Sequence, residues 1–78
     1  MHYKSVRKKI IVRYVKSLGF VWVGGKSHDK YVAEKDGKTV VLIIPRHATI
    51  SPGTVNNIVE NLVKDFGVDL DEVKKNIR

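Results

Sequence analysis

The sequence predicts one small α+β domain in the order αβββα, a three-stranded antiparallel sheet with two helices on one face. Three observations carry this reading. Residues 4–18 and 52–66 each repeat apolar side chains at helical spacing. Between them lie three short runs rich in β-branched and aromatic residues, at about 20–24, 27–34 and 38–45. The dipeptide Asp36-Gly37 separates the last two runs and is the preferred centre of a two-residue type I′ hairpin turn.

In the first helix Val6, Ile10, Ile11, Tyr14, Val15 and Leu18 form one apolar stripe. Lys8, Lys9, Arg13 and Lys16 fall on the other side, and Val12 sits exposed among them, free to touch a partner. Gly19 suits the helix end because it tolerates positive φ. The hairpin at Asp36-Gly37 then fixes a register. It pairs Lys35 with Lys38 and runs outward to His28 opposite Pro45. Asp29, Tyr31 and Ala33 share the core face with Ile44, Leu42 and Val40. His28, Lys30 and Val32 share the other face with Pro45, Ile43 and Val41. One further step puts Lys26 opposite His47, near His28, unless Pro45 ends the ladder early. In the second helix Ser51 is a suitable N-cap, Pro52 a favoured first residue, and Val55, Ile58, Val59, Leu62, Val63 and Phe66 the buried stripe. Asp69 and Glu72 have capping-box spacing and predict a short last helix at about 70–77. No linker or repeat divides the chain, so residues 1–78 read as a single domain. Two helices on one face leave the other open, with Val32, Val41 and Ile43 bare. A partner protein or a weak homodimer with a second copy of the chain would cover it.

Composition narrows the function classes. The chain has 78 residues, enough to bury about 60–65% of its unfolded surface, and its core is thin. It has no cysteine, which removes disulfides and thiolate metal sites. No apolar run approaches the roughly 18 residues of a membrane span, and no apolar signal segment is visible; a soluble, cytoplasmic protein with no membrane partner is expected. The net charge is +7. The excess sits at the front, where Lys4, Arg7, Lys8, Lys9, Arg13 and Lys16 meet no acid before residue 18. Such a polarised surface attracts polyanions such as nucleic acid, although a lysine-rich helix face is also simply well solvated.

The chemistry-bearing stretch is GGKSHDKY, residues 24–31. His28 is either a strand-edge histidine without a task or a proton-transfer group. Ser27 suits a phosphate contact or a backbone hydrogen bond. His47 reads as a second site histidine or a loop residue, and His2 is terminal. His28 and Asp29 point to opposite sides of a strand, and the acids are scattered, so no metal site is expected. Trp22 and Tyr31 could stack bases, but the register places Tyr31 in the core.

Several short motifs occur together in order: Leu18-Gly19-Phe20-Val21, Lys26-Ser27-His28 with Tyr31, Asp36-Gly37, Ile44-Pro45-Arg46-His47, and Pro52-Gly53-Thr54-Val55 with Ile58. With these residues the chain resembles the HicA family of small toxins, over about residues 5–67. The resemblance implies a double-stranded-RNA-binding-like fold and the activity of an mRNA interferase, an endoribonuclease that needs no metal or other cofactor. It further implies a catalytic histidine at His28, RNA as substrate and neutralisation by a HicB-like antitoxin. Lys26 stands where the family has a glycine, with Gly24 and Gly25 just before it, and Asp29 replaces a second histidine found in many members. Metal-free cleavage uses the adjacent 2′-hydroxyl as nucleophile, so it needs a base, an acid for the leaving 5′-oxygen, and positive charge. Histidine, with an ordinary pKa of about 6.5, suits the proton transfers. Lys26, Lys30 and Arg46 would stabilise developing charge. Ser27, His47 and the first-turn amides near Gly53 and Thr54 would contact phosphate, while Lys8, Lys9, Arg13 and Lys16 bind the RNA backbone. The competing readings are a non-catalytic RNA-binding module of the same fold and a small interaction domain whose charge is incidental.

Overall fold

The structure, a computed structural model, describes residues 3–77, so His2 lies outside the described residues. In chain order the elements are β1 (Val6–Arg7), α1 (Lys8–Ser17), β2 (Val21–Gly24), β3 (His28–Lys35), β4 (Lys38–Pro45), β5 (Thr49–Ile50), α2 (Pro52–Lys64) and α3 (Leu70–Asn76). Strands β2, β3 and β4 make the three-stranded antiparallel sheet of the αβββα arrangement, and β1 pairs separately with β5.

That second, two-stranded sheet corrects the start of the first helix, which begins at Lys8 rather than near residue 4. Val6 and Arg7 are claimed by pairing with Ile50 and Thr49. The Lys8 N–H donates to the Ala48 carbonyl at 2.9 Å, and Arg7 stays extended at φ −65°, ψ 134°. Val6 is buried by this pairing, so its apolar character served a strand and only coincidentally matched the helical period. At the other end Gly19, at φ 104°, turns the chain into β2.

The hairpin follows its local signal. Asp36 (φ 52°) and Gly37 (φ 80°) both occupy the left-handed region that a type I′ turn requires. Pairing runs from Lys35 with Lys38 to His28 with Pro45. Pro45 therefore stays in the ladder, as an edge strand allows. Tyr31, Ala33, Val40, Leu42 and Ile44 are buried on one face. They join a core with Ile11, Tyr14 and Val15 of α1 and Val55, Ile58, Val59 and Leu62 of α2. Phe20 packs on Phe66 with ring centroids 4.8 Å apart, and the Lys35 ammonium sits over the Phe66 ring. Val12, expected to be exposed, is half-buried against this core. It lines a cleft together with Arg7, Lys9 and Tyr31.

Ser51 is the N-cap residue of α2, but its hydroxyl donates to Thr54 Oγ1 at 3.2 Å and does not cap the backbone. In α3 the capping residue works as the spacing implies: Asp69 accepts from the Glu72 N–H at 3.3 Å. Val73 and Ile77 then anchor this last segment in the core.

Candidate functional site

Alternation along β3 divides its residues between two environments. Tyr31 and Ala33 point into the core, while His28 and Lys30 are exposed on the uncovered face. There Val32 sits between Val21 of β2 and Val41 of β4, and Lys30 opposes Ile43. Val21, Val41 and Ile43 are 57%, 42% and 46% exposed, an unusual density of bare apolar side chains for so small a surface.

His28 is the first residue of β3 and lies at the rim of this face. Its Nδ1 shares a hydrogen bond with the Ser27 hydroxyl at 3.1 Å. That contact orients the imidazole and leaves Nε2 without a partner among the described residues. The connection leading into His28 is tight. Gly25 has φ +136°, and a Cβ there would lie 1.8 Å from the His28 carbonyl oxygen. Only glycine lets the two backbone segments approach so closely.

Behind His28, on the opposite side of the strand, Asp29 collects three donors. Lys8 forms an ion pair with Oδ2, while Trp22 Nε1 and Arg46 Nε each donate to Oδ1 at 3.0 Å. Arg46 Nη2 also donates to the Gly25 carbonyl at 2.6 Å. The hydrogen bonds from Lys8 and Trp22, with Arg46 and the Lys8 charge adding, hold the Asp29 carboxyl down to a pKa of about 2. Burial raises the Tyr31 phenol above its ordinary value, and the Asp29 charge adds to this.

The expected site residues are thus partly gathered. Lys26 is exposed on the connection, beside Ser27 and His28, and Lys30 follows on the same face as His28. The ladder stops at His28 and Pro45, so Lys26 and His47 do not form the further pair that the register suggested. His47 is exposed in the bend between β4 and β5. Arg46 is engaged with Asp29 and Gly25, with part of its guanidinium still facing solvent. Lys8 leaves the free basic face for its half-buried ion pair, whereas Lys9 is exposed with Arg13 and Lys16. Gly53 is exposed and Thr54 half-buried in the first turn of α2, where no side chain caps the backbone. Tyr31 is buried and offers no stacking platform; Trp22 is 55% exposed. Among the described residues no three of His, Asp and Glu gather as a metal site requires. No helix there is long and apolar enough to cross a membrane.

The sequence reading missed the Asp29 cluster, although a signal existed. The register put a lone carboxylate on the core face opposite Ile44, and a carboxylate leaving solvent needs a cation. The cations arrive from Lys8 and Arg46, far away in the chain.

The fold and site define a compact basic α+β domain with an exposed histidine at the mouth of a clamped strand connection. A family model described as the HicA toxin of bacterial toxin–antitoxin systems matches residues 9–68. The chain therefore belongs to the HicA toxin family, and is a toxin whose system includes a cognate antitoxin. No curated protein and no solved structure matches it.

Proposed function

We propose that this toxin is a metal-independent endoribonuclease acting on mRNA, with His28 as its general acid/base. The observation that carries the reading is His28 itself: an exposed imidazole, oriented by Ser27, between two exposed lysines on the uncovered face. His28 removes the proton of a ribose 2′-hydroxyl. The 2′-oxygen attacks the adjacent phosphorus, the bond from phosphorus to the 5′-oxygen breaks, and that oxygen takes a proton from an acid. His47, exposed in the bend after β4, is a candidate phosphate contact. The products carry a 2′,3′-cyclic phosphate and a 5′-hydroxyl. Lys26 and Lys30 offset the charge that builds on the phosphorane-like transition state. Lys9, Arg13 and Lys16, with the first-turn amides at Gly53 and Thr54, hold the RNA backbone.

A HicB-like antitoxin is the neutralising partner. The bare Val21, Val41 and Ile43, with His28 and Lys30 beside them, fit an apolar segment carrying acidic residues. A protein seated there would cover His28.

The test is cleavage of a long single-stranded RNA in EDTA by the wild type and by His28→Ala. General acid–base help is worth about 10²–10⁴-fold, and a loss of that size with RNA binding retained is expected. Equal cutting by both proteins would contradict the role of His28. Binding without cutting by either would favour the non-catalytic RNA-binding module.

A further inference from the structure

We propose that Asp29 and Arg46 are positioning residues that set the connection presenting Lys26, Ser27 and His28; the inference rests on the reading of His28 above. Arg46 lies just beyond β4, yet its two prongs reach both ends of the connection. Nη2 holds the Gly25 carbonyl at 2.6 Å and Nε holds Asp29 at 3.0 Å. The span bracketed by those contacts is the one that carries the exposed residues of the site.

Asp29 cannot touch a substrate bound at His28, because adjacent strand residues face opposite ways. It serves instead as the hub behind the strand. Lys8 ties it to the first turn of α1, Trp22 to β2, and Arg46 to the segment leading into His47. Both site histidines are thus neighbours in sequence of a clamp residue: His28 of Asp29, and His47 of Arg46.

The backbone supplies the other half of the clamp. The space that a side chain at residue 25 would need is filled by the His28 carbonyl. The close approach is therefore made by Gly25, and residue 26 is free to carry a side chain. Lys26, exposed beside it, adds a positive charge next to His28.

Positioning predicts effects on rate rather than on affinity. A displacement of a catalytic group by about 1 Å can cost on the order of 10²-fold in rate. Arg46→Ala and Asp29→Asn should each lower the single-turnover rate at saturating RNA by about tenfold or more, with the RNA Kd changed by less than about threefold. The double variant should be little worse than either single one, because both break one unit. Arg46→Lys keeps the charge but loses the two-pronged reach, and should not restore the rate. Amide exchange of residues 25–28 should accelerate in Arg46→Ala while the β4 amides hold.

A direct phosphate contact gives a different pattern. Arg46→Ala would then raise Kd, flatten its salt dependence, leave the saturated rate unchanged and be rescued by lysine; that pattern overturns the proposal. If His28→Ala cuts like the wild type, the functional reading fails on its own, and exchange alone decides the clamp. Faster exchange at residues 25–28 supports it, and unchanged exchange overturns it.

Discussion

The two turns that flank β3 are built on different principles. The turn at Asp36-Gly37 is local: two residues with φ 52° and 80° close it. The connection at the other end, from Gly25 to Ser27, is held by residues distant in sequence. Arg46 grips the Gly25 carbonyl, and Lys8, Trp22 and Arg46 converge on Asp29 next to His28. A turn encoded by its own residues depends on no distant side chain. One assembled from remote side chains forms only when the fold is complete, and its geometry is correspondingly specific. The exposed histidine and its lysines sit on the second kind.

Substitution of glycine at each turn tests this contrast most strongly. Gly25→Ala places a methyl group 1.8 Å from the His28 carbonyl oxygen at φ +136°. Strain and overpacking together should cost roughly 2–5 kcal/mol in urea unfolding, with loss of cleavage. Gly37→Ala meets nothing within 4 Å at φ +80° and should cost only about 1 kcal/mol, with cleavage retained. Equal losses at both positions would erase the distinction.

Acid should separate the two ends next. The Asp29 carboxyl has its pKa depressed to about 2, below its ordinary value near 3.8. Its contribution to the folded state is therefore complete above about pH 4 and fades as pH falls toward 2. Trp22, the sole tryptophan, donates to this carboxylate and reports on it. Its fluorescence should change over that acid window in the wild type and stay flat there in Asp29→Asn.

The smallest effect belongs to Asp36→Asn. Asn-Gly serves a type I′ turn as well as Asp-Gly, so stability should move by less than about 0.5 kcal/mol. Cleavage should be unchanged. The same chemical exchange at Asp29 removes the charge that three donors share, and there cleavage should fall.

The contrast also explains what the sequence disclosed. The hairpin register was legible from Asp36-Gly37 and alternation, and it placed Tyr31, Ala33 and Asp29 on the core side correctly. The stripes of α1 and α2 were legible from their period. Unreadable were features set by contacts between distant segments. Pairing of Val6 with Ile50 shortened α1, Lys8 reached across to Asp29, and Val12 became half-buried against the core. The Lys26–His47 pairing was extrapolated past the end of the ladder, where bends replace strand pairing. His28 was singled out only through the resemblance to the HicA family, since its own neighbours left its role open; the clamp behind it was not read, because Arg46 is remote.

The most direct test of His28 chemistry is end-group analysis of RNA cut in EDTA under single-turnover conditions, with His28→Ala alongside. Wild type should leave only 2′,3′-cyclic phosphate and 5′-hydroxyl ends, and the variant should leave essentially none. Fragments with 5′-phosphate ends, or the same cyclic ends at the same rate from His28→Ala, would contradict the account.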